Sequence, residues 1–328
     1  MKRENLNSKD ADLNLREINN VNRVLSIGGG PIGVGWTAHF LSKGFKVRAY
    51  LHSPDEETIF RQTINAAWNT LETLGLPDSA SLDNLEISTN LEESIQNIDF
   101  IQESAPERLE LKAELYRMLG KSVDPEVVIA SSTSGIPMTE IQQGCVHAHR
   151  MIVGHPFNPP YLLQLVEVVK GQNTSKETVR WIEDFYESVD KVPLVLRKEI
   201  PGFIATRLQE ALWREALHMV DNDEASPADI DKALIYGPAP RMVVQGICKA
   251  FHVACGEGGM ATNLDQFGPA LKLPWTRLNA PELTPDLRNK MVDGCLEMTS
   301  DKTHEVLVAE RDQIILGILK LRKDTGQS

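Results

Sequence analysis

The run Gly28-Gly29-Gly30-Pro31-Ile32-Gly33 restricts the fold of this chain more than any other feature. It follows Val24-Leu25-Ser26-Ile27, a short apolar stretch that reads as a buried strand, and precedes a segment of helical periodicity reaching Lys43. Gly44 stops that helix, and the apolar stretch 47–51 returns as a second strand. In this context the glycines read as a dinucleotide-binding turn. Gly28 makes the tight turn, Gly30 lets a pyrophosphate approach the backbone, and Gly33 permits close packing of helix on strand. Pro31 and Ile32 lie where the helix N-terminus offers amides and a partial positive charge to phosphates. The competing reading is a glycine turn kept only for packing.

The alternation continues. Further short strands are expected at 85–88, 100–103, 127–131, 151–155, 163–168 and 192–196, with helices at 56–74, 109–119 and 176–189 among those between them. Strands alternating with helices imply an α/β fold, a doubly wound and mostly parallel Rossmann-type sheet. Beyond Ile200-Pro201-Gly202 the pattern turns helical, with stretches near 203–222, 227–235, 241–254, 285–298 and 303–322. Ser226 through Asp229 has the form of a helix start. The expected organisation is a flexible polar arm over 1–20, a dinucleotide-binding domain over 21–199 and a smaller all-helical domain over 200–328. Val306, Leu307, Ile314, Ile315, Ile318 and Leu319 give the last helix more apolar surface than a solvated end needs. Burial in its own domain and a dimer interface both account for that, and a homodimer is expected.

Charge narrows the partners. With 34 basic and 46 acidic residues the net charge is −12, which argues against nucleic acid or an anionic membrane surface and leaves a small molecule. Cys145, Cys248, Cys255 and Cys295 fall at no metal-ligand spacing, so no metal is expected. The first twenty residues lack the apolar core of a signal peptide, and no uncharged run approaches the ~18 residues that span a bilayer. A cytoplasmic location is the expectation.

The dinucleotide fingerprint also calls for an acid at the end of the second strand, where it holds the adenosine ribose hydroxyls. Leu51 stands there, eighteen residues after Gly33, and cannot accept a hydrogen bond. His52, Ser53 and Arg48 are near in sequence and suit a ribose phosphate, so NADP is possible beside NAD, and loss of cofactor binding is a third outcome.

Ala130-Ser131-Ser132-Thr133-Ser134 ends one strand and Gly154-His155-Pro156-Phe157-Asn158-Pro159 ends the next, with Glu167 twelve residues beyond His155. On these segments the chain resembles the 3-hydroxyacyl-CoA dehydrogenase family over nearly its whole length. Glu107 to Lys112 and Pro201-Gly202-Phe203-Ile204 match as well. Leu212 to Ala216, Gly256 to Met260 and Gln266 to Thr276 are similar to the branch containing L-carnitine dehydrogenase and lambda-crystallin. The resemblance implies a catalytic set of His155, Glu167 and Ser134. His155 takes the hydroxyl proton, Glu167 fixes its tautomer, and Ser134 hydrogen-bonds the substrate oxygen. It further implies substrate contacts at Asn158, Thr206 and Arg207, with His52, Glu107 and Lys112 at the cofactor.

Two departures shape the expected substrate. The family's Asn in its PGF-x-x-N-R segment is Thr206 here, and Met242 stands where a Trp is expected in carnitine enzymes, whose quaternary ammonium favours an aromatic face. In acyl-CoA members the helix after the second strand carries basic contacts to CoA; here residues 54–75 hold Arg61 as their one basic side chain. The expected function is therefore hydride transfer on a small 3-hydroxy or 3-keto acid without CoA. A non-redox enzyme that enolises and cyclises a β-keto substrate, and a crystallin-like protein without catalysis, are the alternatives.

Overall fold

The computed structural model describes residues 15–255, 257, 259–277, 282, 284–287, 289 and 303–324. Contacts divide the chain into two units, Met1–Thr206 with Glu310–Ser328, and Arg207–Ala309. The first unit holds strands β1 (Arg23–Ile27), β2 (Lys46–Tyr50), β3 (Leu85–Ser88), β4 (Phe100–Glu103), β5 (Val128–Ser131), β6 (Met151–Pro156), β7 (Leu165–Lys170) and β8 (Val192–Val195). Helices α1 (Pro31–Ser42), α2 (Glu57–Glu72), α3 (Leu91–Ser94), α4 (Leu109–Ser122), α5 (Met138–Ile141) and α6 (Lys176–Ser188) connect them.

The strands form one sheet in the order β3-β2-β1-β4-β5-β6-β7-β8. Every neighbouring pair is parallel except β6 and β7, which are antiparallel. Successive side chains point to opposite faces. Val24, Phe100 and Ile152 therefore enter one buried cluster while Leu25, Ile101 and Val153 enter another. A sheet covered on both faces needs apolar residues at every position, which is why these strands read as short continuous runs. The first cluster is aromatic: Phe100 lies 4.5 Å from Phe185, and Trp36 stacks on Phe40 at 5.2 Å. The order of the strands reverses direction between β1 and β4. The crevice outside the carboxyl ends of strands at such a switch point is where open α/β sheets bind ligands.

The described part of the arm, residues 15–20, is packed. Leu15 and Ile18 lie against the first cluster, Arg16 pairs with Asp99, and the Trp181 indole donates to the Arg16 carbonyl. Helices α7 (Ala205–Asp221), α8 (Pro227–Tyr236), α9 (Ala239–Ala254) and α10 (Gly259–Phe267) follow the sheet. Ser226 and Asp229 form the reciprocal cap that their spacing implies. Helix α9 is broken at Gly246, whose φ is +68°. Helix α10 is new to the reading, since its glycine-rich approach looks like loop. Of the helix expected over 285–298, only 285–287 and 289 lie among the described residues. A last helix spans His304–Asp324, and from Glu310 onward its contacts belong to the first unit. There the Tyr161 hydroxyl donates to Asp312 at 2.6 Å, and Leu316 is buried. No helix among the described residues is long and apolar enough to cross a membrane.

The entry to β6 is fixed by Arg150, which is fully buried. Its guanidinium donates to the carbonyls of Asp124 and Val127 at 2.7 Å and of Val123 at 3.0 Å. These carbonyls belong to the turn between α4 and β5, and that of Asp124 also accepts the Val127 amide at 3.0 Å. Burial lowers its pKa to about 10, which leaves it charged at neutral pH. Arg150→Leu should lower unfolding free energy by about 2–4 kcal/mol in urea melts, because the carbonyls of the buried Val123 and Val127 lose their donor together.

Candidate active site

Strands β6 and β7 pair so that His155 lies directly opposite Glu167. The twelve-residue spacing places them there because in an antiparallel ladder one turn returns the chain beside itself. His155 Nδ1 is 3.0 Å from Glu167 Oε2. The other carboxylate oxygen accepts the backbone amides of Ile204 and Ala205, both at 2.8 Å, at the start of α7. Burial alone would raise the Glu167 carboxyl. The bond from His155 and the two amides outweigh it and hold the group below its ordinary range. An ionised carboxylate only accepts, so Nδ1 carries the proton, and in the neutral ring the lone pair is then on Nε2. No described residue engages Nε2, and Phe157 and Phe203 lie beside the ring at 4.9 and 5.6 Å.

Ser131 at the end of β5 pairs with Val153 of β6, so Ser134 and His155 leave the sheet from the carboxyl ends of adjacent parallel strands. The turn carrying Ser134 is held by Glu107. One of its oxygens accepts the Thr133 hydroxyl at 2.6 Å and the Ser134 amide at 2.9 Å. The Ser134 side chain is exposed and takes no partner among the described residues. Lys112 is buried and donates to Glu103 at 2.7 Å and to the Ala105 carbonyl at 3.0 Å, with Glu107 at 3.7 Å. Glu103 also accepts Ser131 at 2.6 Å and the Ala105 amide at 2.6 Å. This buried pair ties the loop after β4 to the end of β5. Sequence reading passed over Glu103; its one signal is a carboxylate closing the otherwise uncharged strand Phe-Ile-Gln-Glu.

The glycine turn passes a test of fit for a dinucleotide. Gly28 has φ +113°, and a Cβ there would meet the Ser104 carbonyl at 2.5 Å. A Cβ on Gly33 would meet the Gly28 carbonyl at 1.9 Å, as close helix–strand packing requires. At Gly30 a Cβ would meet nothing within 4 Å, so this point faces open space. Pro31 occupies the first turn of α1 with Gly30 as its cap. The turn borders a cavity of about 1130 Å³ whose walls include His52, Glu56, Ser104, Leu91 and Met118. Among the described residues no group of histidine, cysteine and carboxylate side chains is placed to hold a metal ion.

The residues near the missing acid separate. Leu51 is fully buried in the core beneath the turn. Arg48 turns away from the cavity: it donates to the carbonyls of Glu93, Ser94 and Gln96 at the end of α3 and pairs with Glu86 at 3.0 Å. Ser53 caps the turn that follows by accepting the Asp55 amide. His52 lines the cavity, and so does Glu56, which sequence reading missed because it searched for an acid on the strand. Asn158 is exposed before a cis bond to Pro159. Thr206 is half-buried and Arg207 exposed on the first turn of α7, one and two residues past the amide that holds Glu167.

Two measurements check this geometry. Gly33→Ala should lose about 1–3 kcal/mol of stability from backbone overlap, whereas Gly30→Val should melt like the parent yet lose NADH binding. The ordinary glutamate pKa is 4.5, and the folded-state value of Glu167 is lower, so its contribution is complete above that pH and vanishes as pH falls through the folded value. The stability difference between the parent and Glu167→Gln should accordingly shrink on acidification below pH 4.5 in thermal melts.

The family model of the 3-hydroxyacyl-CoA dehydrogenase NAD binding domain matches residues 23–200, and that of the C-terminal domain matches residues 202–290. An L-carnitine dehydrogenase from Streptomyces coelicolor is 50% identical over 94% of this chain and 96% of its own. One from Pseudomonas putida is 42% identical over 95% and 97%. Among solved structures, a 5-formyl-3-hydroxy-2-methylpyridine 4-carboxylic acid 5-dehydrogenase, an NAD+-dependent dismutase, superposes with TM-score 0.76 at 26% identity, covering 94% of this chain and all of its own. The 3-hydroxybutyryl-CoA dehydrogenase of Escherichia coli gives 0.60 at 30% identity, over 69% of this chain and 49% of its own. This chain belongs to the 3-hydroxyacyl-CoA dehydrogenase family and is an NAD-dependent oxidoreductase.

Proposed function

We propose that the chain interconverts a small 3-hydroxy acid and its 3-keto form without CoA. The observation that carries the reading is the His155–Glu167 pair, with Nε2 unengaged at the edge of the sheet that also bears the glycine turn. Bound NAD supplies the hydride acceptor. The Nε2 lone pair of His155 takes the hydroxyl proton as the carbonyl forms, and returns it in the reverse direction. Glu167 is the positioning residue: it keeps Nδ1 protonated and offsets the charge of the imidazolium. The Ser134 hydroxyl donates to the substrate oxygen as negative charge develops there, from a turn that Glu107 holds in place. Asn158, Thr206 and Arg207 are read as substrate contacts, and Gly28, Gly30, Pro31, Ile32, Gly33, His52, Glu107 and Lys112 as the cofactor side.

The absence of CoA rests on α2. Arg61 is its one basic residue, and it is paired with Glu57 at 2.8 Å, which leaves no unpaired cation on that helix for a nucleotide phosphate. The relatives named L-carnitine dehydrogenase make L-carnitine the first substrate to assay. Met242 is a poorer face for a quaternary ammonium than Trp. The hydroxyl and carboxylate, rather than the ammonium, therefore define the class. The non-redox reading requires a closed dinucleotide cleft, and the open space at Gly30 weighs against it. Leu212, Trp213, Tyr236 and Trp275 are large apolar side chains exposed on the second unit, which favours their burial in a homodimer.

His155→Ala should lower turnover at least ~100-fold with the fold retained by circular dichroism, followed by NADH absorbance on L-carnitine and other 3-hydroxy acids. A variant as active as the parent would remove His155 from the mechanism.

A further inference from the structure

The acid missing from the end of β2 has a replacement from the next element. Leu51 has no hydrogen-bonding group and is fully buried, so it belongs to the core rather than the cleft. Five residues on, the tight turn Pro54–Glu56, capped by Ser53, brings Glu56 back over the glycine turn. The Glu56 carboxylate lies beside Gly29, where its Oε2 stands 2.4 Å from the place a Cβ on that residue would occupy. Gly29 is the variable position of the motif, for which the fingerprint itself requires no glycine. Here a side chain at 29 would displace the carboxylate. Glu56 is half-buried and faces the cavity, and its carboxylate has no hydrogen-bond or ion-pair partner among the described residues.

We infer that Glu56 accepts the adenosine ribose hydroxyls of NAD in place of the strand-end acid and sets the preference for NAD over NADP. The assignment rests on NAD occupying this cleft. A carboxylate with unused lone pairs gains two good donors from a ribose diol, and the same charge repels a 2′-phosphate. Arg48, midway along β2, cannot compensate, because its guanidinium is spent on the carbonyls that end α3 and on Glu86; the basic side chain that lines the cavity is Arg108, from the loop after β4. His52 remains as a wall of the same pocket. The acid has thus moved from the strand to the turn preceding α2, and Gly29 is the space it needs.

The test is titration of the full chain with NADH and separately with NADPH by fluorescence or calorimetry. The proteins are the parent, Glu56→Ala, Glu56→Gln and Gly29→Ala, each with a thermal melt. Expected are NADH preferred over NADPH in the parent, NADH affinity falling tenfold or more in Glu56→Ala, and NADPH affinity rising at least threefold in Glu56→Gln, all with parental melting. Gly29→Ala should follow Glu56→Ala in its loss of NADH. If the parent binds NADH and Glu56→Ala binds it within threefold, the assignment fails while the cofactor reading stands. A parent that binds NADPH as well as NADH also overturns it. A parent that binds neither dinucleotide overturns the cofactor reading and this assignment with it.

Discussion

Glu167 is a buried anion, and a buried anion persists only where donors surround it. Here three do: His155 from the neighbouring strand, and the amides of Ile204 and Ala205 from the start of α7. That single carboxylate joins the antiparallel β6–β7 pair to the segment where the chain leaves the sheet. It also decides which nitrogen of His155 carries a proton. The chemistry of the site depends on this tautomer, and the tautomer depends on the register of two strands. A slip of one residue would send one of the two side chains to the opposite face of the sheet.

A second buried carboxylate does comparable work at the switch point. Glu103 binds Lys112, Ser131 and the Ala105 amide, so the loop after β4 and the turn after β5 are set by one ion pair. Glu107, more exposed, extends the arrangement to Ser134. The glycine turn, the β4 loop and the β5 turn thus present their backbones along one edge of the sheet. Arg150 performs the matching task at the opposite end of β6, tying its entry to the turn after α4. The functional groups are carried by the ends of strands whose other ends are fixed by buried charge.

Much of this was legible in the sequence. The strand at 100–103 has the boundaries its sequence implies, because a buried parallel strand is a short apolar run bounded by polar residues; the edge strand at 85–88 matches too, although none of its residues is buried. The glycine turn was legible for the same reason, flanked by a strand and a helix of the expected length. The reversal of β7 was not, since a strand's direction leaves no trace in its composition; only the pairing of His155 with Glu167 exposes it. Helix α10 was hidden by the glycines before it. Glu103 went unnoticed because a charged residue ending a strand looks like a solvated one until the sheet is assembled around it. Glu56 was missed for a related reason: the fingerprint specifies a position on the strand, whereas the chain delivers the carboxylate from the following turn. Spacing rules register where a group is attached and not where its end arrives.

The central claim is that Glu167 fixes His155 with Nδ1 protonated and Nε2 free. Nitrogen-15 NMR of histidine-labelled protein at neutral pH tests it directly, with His155→Gln used to assign the signal. The account predicts a protonated Nδ1 and an unprotonated Nε2 for His155 in the parent, and a loss of that single tautomer in Glu167→Gln. A parent His155 that carries its proton on Nε2, or a tautomer unchanged by Glu167→Gln, would contradict it.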